Sequence, residues 1–399
     1  MPKICFYLHL HQPHRLRDIS IFDVGKPGAN YFYSDQKDDN REIFLKVAHK
    51  SYLPMLSLLN QLINEHEGFN CAFSISGVFL EQAEKYVPEV LELIQRLVKT
   101  GKVEILAETY YHSLASLYSP TEFLEEVKQH EAAIQHWFEV KPSSFRNTEL
   151  IYSNHIAQMV AKMGYQGMLT EAVDRYMGGR QKTKLYSSYA ENKLPLLLKH
   201  APLSDDIAFR FSNRQWQWHP LSAERYLDWV ELYPENDYVN LFMDFETFGE
   251  HQWEDTGIFE FFRVFVARFL QKEWNSFVTP EMVFSQLKPP DVAKLPVYDV
   301  PEPISWADID RDTTAWTENE LQQDTLRLIY SLEKKVKQTG NQELLNKWKN
   351  LLISDHFYYM CTKWSADGDV HAYFSPYETP YEAYRSYCIA LADLQENLI

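Results

Sequence analysis

Two carboxylates stand out by their neighbours. Glu149 lies in "FRNTELIY", three residues after Arg146, and Asp244 lies in "NLFMDFETFGEHQW" (240–253), directly after Leu241, Phe242 and Met243 and before Phe245. A guanidinium close to Glu149 favours its charged form and suits a nucleophile. Apolar neighbours disfavour charge on Asp244, which predicts a raised pKa and suits a proton donor. Two carboxyl groups whose surroundings push their acidities apart are the recurring machinery of glycoside hydrolysis. A separation of about 5–5.5 Å serves a retaining reaction and roughly 6.5–9.5 Å an inverting one. An acid at a strand end is also an ordinary way for a chain to reach water, and each acid taken singly has that plainer reading.

The other arrangement with chemical meaning is His9-x-His11 in "HLHQPHR". Imidazoles two residues apart at a strand end can hold zinc, with Asp244 completing the set, which predicts a zinc-dependent deacetylase or amidohydrolase. Against it, His112 is the one further histidine near a strand end, and Gln12-Pro13 is a stiff polar turn better suited to holding a ligand hydroxyl. For His11 the plain alternative is a buried imidazole bonded to backbone.

The elements that position these groups follow from hydrophobic patterning. Strand-like runs occur at 3–10, 69–77, 102–109, 143–150, 165–172, 206–212 and 238–245, most of them separated by helix-sized segments. That alternation predicts parallel strands in βαβ units. Residues 42–64 place Leu56, Leu59 and Ile63 on one helical face. Ser119-Pro120-Thr121-Glu122 reads as a capping box ahead of Phe123, Val127 and Ile134, and residues 153–163 predict a short helix ending at Gly164. No Gly-rich phosphate loop follows the first strand, which favours a closed barrel over an open doubly wound sheet. In such a barrel reactive groups sit at the carboxyl ends of the strands. Read this way, the ends carry His9, His11 and Gln12; Glu104 and Glu108; Arg146, Asn147 and Glu149; Glu171 and Asp174; and Asp244 and Glu246. The alternation stops after about residue 275, prolines cluster, and the remainder is helical. The reading is a catalytic barrel over 1–290 and a helical region over 291–399.

At 399 residues the chain can bury a large core. Its net charge of −17, from 39 basic and 56 acidic residues, offers no basic face for nucleic acid or for an anionic membrane. A neutral carbohydrate suits that balance, and the 10 Trp, 25 Tyr and 24 Phe supply flat faces on which sugar rings stack, although most will be core. The amino-terminal apolar run is too short for a membrane span and lacks the pattern of a signal peptide, which predicts a cytoplasmic protein. Cys5, Cys71, Cys361 and Cys388 have no paired spacing, so ordinary reduced thiols are expected.

With these residues in place the chain resembles glycoside hydrolase family 57, in its α-amylase-type group. The match rests on "HLHQPHR", "GKVEILAETYYH", "FRNTELIYSN", "LFMDFETFGEHQW" and "SDHFYYMCTKW", five stretches in order along most of the chain. The resemblance implies an α/β fold, an incomplete TIM-like (β/α)7 barrel followed by a C-terminal helical region. It implies retaining cleavage of α-glucosidic bonds, mainly α-1,4, in starch, glycogen or maltooligosaccharides, with no metal and no cofactor. Glu149 falls on the family's nucleophile and Asp244 on its general acid/base. Substrate-binding roles are implied or expected for His11, Gln12, Glu104, Arg146, His251, Trp253, Trp306, Asp355 and His356, and "SWADIDRDTTAW" with Trp306 and Trp316 is expected to wall the cleft. Phe245 stands where the family pattern has tyrosine, which predicts a shift in specificity. The same site serves 4-α-glucanotransferases and branching enzymes, and a glucan-binding protein without turnover is the reading from another class.

Overall fold

The computed structural model describes residues 2–17, 20–26, 30–32, 39–363 and 375–398. Its strands are β1 (Lys3–Leu10), β2 (Cys71–Ile75), β3 (Val103–Leu106), β4 (Ser144–Arg146), β5 (Gly167–Thr170), β6 (Tyr186–Ser188), β7 (Pro195–Leu198), β8 (Tyr238–Asp244) and β9 (Val297–Tyr298). They pair in the orders β3-β2-β1-β8 and β4-β5-β7-β6-β9. β1, β2, β3, β4, β5, β7 and β8 run parallel within these ladders and make the seven staves of an incomplete (β/α)7 barrel. The ladder is interrupted at two seams. β3 and β4 meet only through the Ala107–Phe145 bridge, and beyond β7 the His200 N–H donates to the Asn240 carbonyl at 2.8 Å.

Side-chain alternation decides what each stave delivers to the barrel interior. Cys5, Tyr7, Ala72, Leu106, Leu169, Leu197 and Phe242 pack together inside, whereas Ile4, Phe6, Leu8, Leu241 and Met243 face the surrounding helices. The odd positions of β1 therefore lead through Cys5 and Tyr7 to His9 at the carboxyl mouth, and Phe242 leads to Asp244. His9 and Asp244 sit in register across β1 and β8.

The outer layer forms where the periodicity predicts it. Leu56, Leu59 and Ile63 are buried in the helix Leu53–Glu65, and Asn154–Met163 ends on Gly164 at φ +89°. The helix Pro120–Phe138 starts with Ser119 accepting from the Glu122 N–H at 3.1 Å. Glu122 does not complete a capping box; its carboxylate meets Lys337 at 2.6 Å and Lys349 at 3.2 Å, on two helices of the carboxyl-terminal region.

One expected strand is absent. Residues 206–212 lie partly in the helix Ala201–Ala208, whose Leu203 and Ile207 join the outer core, and the sixth parallel stave is β7 instead. The run "PLLL" shows no alternation because both its faces are buried, and its leading proline reads as a loop. Beyond residue 290, β9 pairs with β6, and Leu326, Ile329, Trp348, Leu351 and Tyr387 share one buried cluster with Phe145, Ile151 and Val160 of the barrel. Among the described residues no helix is long and apolar enough to cross a membrane.

Candidate active site

At the carboxyl mouth, three imidazoles stack in a column. The ring of His112 lies 4.7 Å from that of His9 and 4.2 Å from that of His11. Each imidazole touches a carboxylate. His9 Nδ1 is 3.6 Å from Asp244 Oδ1, His112 Nε2 is 2.9 Å from Glu149 Oε1, and His11 Nε2 is 3.0 Å from Asp355 Oδ2. Beneath them Glu108, fully buried, lies 3.3 Å from both His9 Nε2 and His112 Nδ1.

His112 is the charge that organises this group. Burial works against its protonation, but hydrogen bonds to Glu108 and Glu149 and the charge on Glu149 outweigh burial and carry its pKa up to about 9. At neutral pH it is an imidazolium donating through both nitrogens. Burial likewise pushes the Glu149 carboxyl up, yet the His112 hydrogen bond and charge, aided by Arg146, hold it below its ordinary value. Its second oxygen, Oε2, accepts from the Trp306 indole N–H at 2.7 Å.

Both turns that present these groups adopt left-handed backbone, His112 at φ 52° and Glu149 at φ 54°, a conformation costing L-residues about 1–2 kcal/mol each. Later chain segments clamp them. The Ser354 N–H donates to the His112 carbonyl at 3.1 Å, and Ser305 Oγ at 2.8 Å and the Trp306 N–H at 3.3 Å both donate to the Glu149 carbonyl.

Asp244 departs from the expectation drawn from its neighbours. Burial raises its carboxyl, but His9, then His251 and Arg146, outweigh burial and hold it below its ordinary value. Leu241, Met243 and Phe245 point to the other face, into the outer core, so they do not surround it. Its side chain is 44 % exposed to the mouth and so is accessible to a substrate. Phe245, for the same reason, is fully buried against Tyr52 and Phe73, and its missing hydroxyl does not concern the cleft.

Other expected contacts sort clearly. Asp355, 23 % exposed, reaches the mouth from the helix Ser354–Tyr358. His11 has both nitrogens engaged, by Ser76 at 2.7 Å and by Asp355, so it orients Asp355 instead of offering a free edge to a sugar. Burial and the neighbouring His112 push its pKa down to about 4, against the opposing pull of Asp355, so it is neutral. Trp306 reaches Glu149 directly. His251 is half-buried near Asp244, and burial pushes its pKa down against the opposing pull of Asp244, while Trp253 lies on the surface under Lys50 Nζ, 5.0 Å from its ring.

Five further expected contacts do not hold. Glu104 is the second residue of β3 and points into the opposite end of the barrel, where it accepts from the Glu281 N–H at 2.7 Å; Glu108, four residues on, takes its place at the mouth. Arg146 is fully buried and cannot touch a substrate. Gln12 is spent on Glu246 and Arg15, at 3.3 and 3.1 Å. His356 points into the helical core, with Nε2 3.1 Å from the Asn350 carbonyl. Trp316 is 1 % exposed beside Tyr358 and so walls no cleft. Trp364, in the fifth motif, lies outside the described residues.

The zinc set expected from the sequence, His9, His11 and Asp244, also fails to form, since His11 is engaged elsewhere. The ligand-type atoms that converge belong to His9, Glu108 and His112, all within 4.8 Å of one another. Their sequence signal was the i, i+4 pair Glu108 and His112 after a strand, read together with the inward register of His9.

Two substitutions test this layout. Glu104→Gln is expected to leave kcat and KM within about twofold of wild type, since the residue lies at the far end of the barrel; a large loss of activity contradicts the placement. Trp306→Phe removes one hydrogen bond to a charged group, worth about 1.5–3 kcal/mol, and should cost roughly 10- to 100-fold in kcat/KM. It should also raise the Glu149 pKa and move the acidic limb of the pH–rate profile upward. An unmoved limb would mean the indole does not hold Glu149.

A parallel barrel whose carboxyl mouth presents a held carboxylate beside a second, accessible one is the framework of a glycoside hydrolase. The profile of the family described as Glycosyl hydrolase family 57 matches residues 5–296, and the chain belongs to that family. A Methanocaldococcus jannaschii protein provisionally named an alpha-amylase is 39 % identical over 98 % of this chain and 84 % of its own length. Alpha-amylase 1 of Dictyoglomus thermophilum is 21 % identical over 69 % of this chain, which spans only 39 % of that relative. Among solved structures, a 4-alpha-glucanotransferase from Thermococcus litoralis superposes with a TM-score of 0.68 at 15 % identity, over 98 % of this chain and 59 % of its own. A branching enzyme from Pyrococcus horikoshii also gives 0.68, at 14 % identity over 94 % and 87 %. At those identities the likeness concerns the fold alone.

Proposed function

We propose that this glycoside hydrolase cleaves α-glucosidic bonds, mainly α-1,4, in maltooligosaccharides and related glucans, with net retention of configuration. The observation that carries the reading is Glu149, an ionised carboxylate bracketed by the His112 imidazolium and the Trp306 indole, with the accessible Asp244 beside His9 of the same imidazole column. Glu149 attacks the anomeric carbon while Asp244 protonates the departing glycosidic oxygen. Water activated by Asp244 then releases the sugar from the glycosyl ester.

The electrostatics fit both halves of this cycle. A sugar bound over Asp244 displaces water, and the charge of Glu149 repels a second negative charge; both effects raise the Asp244 carboxyl toward its acid form. Esterification of Glu149 removes that charge, and Asp244 becomes the base that the second step needs. Asp355, oriented by His11, is the group proposed to grip a sugar hydroxyl next to the scissile bond.

The test is to incubate wild type and Glu149→Gln with maltoheptaose and with soluble starch and to resolve the products by chromatography. Shorter maltooligosaccharides from wild type alone are expected. Products longer than the heptaose would make the chain a glucanotransferase or branching enzyme, and binding without product would make it a glucan-binding protein.

A further inference from the structure

His9, Glu108 and His112 have the spacing of a metal site without being free to be one. Glu108 Oε2 is 3.3 Å from each imidazole nitrogen, close to the roughly 3.3–3.6 Å that separates neighbouring ligand atoms around a tetrahedral zinc with bonds of about 2.0–2.2 Å. The fourth corner is already taken. Arg146 Nη1 lies 3.4 Å from His9 Nε2, 3.5 Å from Glu108 Oε2 and 3.4 Å from His112 Nδ1. An ion at the centre would be about as close to this nitrogen as to its ligands. A guanidinium has no lone pair to offer and keeps its positive charge.

The rest of Arg146 indicates that it is there for its charge. It is fully buried, its Nε and Nη2 have no hydrogen-bond partner among the described residues, and the ring of Trp306 covers it at 5.2 Å. A five-donor group using a single nitrogen is poorly explained by hydrogen bonding. As a cation it compensates Glu108, and its charge also favours the ionised forms of Asp244 and Glu149.

We propose that Arg146 is a built-in cation filling a pocket of metal-site geometry, and that His9, Glu108 and His112 bind a divalent transition metal once its guanidinium is removed. In the native chain Arg146 is then a positioning residue: it holds Glu108, the shared partner of the two imidazoles that orient Asp244 and Glu149. Only this positioning role rests on the function proposed above. Metal capture by the emptied pocket is independent of it. Binding converts the His112 imidazolium to a neutral ligand, so it releases a proton and tightens as pH rises.

The experiment compares wild type, Arg146→Ala and the double variant Arg146→Ala/Glu108→Gln by equilibrium dialysis with zinc and by the visible spectrum of added cobalt(II). One equivalent of zinc and a tetrahedral cobalt spectrum are expected for Arg146→Ala alone. A folded Arg146→Ala chain that takes up no metal overturns the proposal, as does equal uptake by wild type or by the double variant. Should Arg146→Ala not fold, Arg146→Met refills most of the volume without the charge. It is expected to bind zinc at least tenfold more tightly than wild type and to shift the acidic limb of activity to higher pH, and wild-type behaviour in both overturns the proposal. If no form of the protein cleaves glucan, the hydrolase reading fails while the dialysis result still decides the metal pocket.

Discussion

Glu149→Gln is expected to lose on the order of 10⁴-fold in kcat, about 5.5 kcal/mol of barrier, while the chain stays folded. The amide is nearly isosteric, so Trp306 keeps an acceptor and the left-handed turn remains clamped by Ser305 and the Trp306 backbone. What disappears is the negative charge that attacks the anomeric carbon. The His112 pKa, carried up to about 9 partly by Glu149, should fall in the variant, which titration of its imidazole resonances would follow. Added azide should restore turnover and give the glycosyl azide of inverted configuration, because the small anion occupies the vacated side of the sugar. A variant with wild-type rates would remove Glu149 from the mechanism.

The second large effect is expected at Asp244→Asn, and its signature is dependence on the leaving group. With maltooligosaccharides, whose departing alcohol needs a proton, kcat should fall by on the order of 10³-fold. With an activated fluoride leaving group the first step needs no proton, so the ester on Glu149 should form and then accumulate, because the base for its hydrolysis is gone. KM for the fluoride should therefore drop along with kcat. Azide should again accelerate the reaction, here with retained configuration. Equal losses on both substrates would assign Asp244 to binding instead of proton transfer.

Much of this site was legible before the fold because strand ends announce themselves. Glu149 follows a short buried strand and Asp244 ends a longer one, and parallel staves deliver such residues to one mouth. Legibility failed where linear neighbourhood was taken for spatial neighbourhood. Asp244 reads as apolar in sequence, but alternation turns Leu241 and Met243 outward and leaves the carboxylate facing His9. Glu104 and Glu108 share a stretch, yet the length of β3 carries them to opposite ends of the barrel, and only strand boundaries tell them apart. The run 206–212 alternates like a strand but belongs partly to a helix, while β7 hides in an unpatterned "PLLL" buried on both sides. Asp355 and Trp306 enter from more than 150 residues beyond Glu149, and no local pattern reports that Trp306 donates to it.

Capture of the intermediate tests the central claim most directly. Asp244→Asn would be incubated with α-maltosyl fluoride, digested, and its peptides weighed. The account predicts a mass increment of one maltosyl unit on the peptide carrying Glu149, absent when Glu149 is also replaced by Gln. An increment on another residue, or turnover with inverted configuration and no adduct, would contradict retaining catalysis through Glu149.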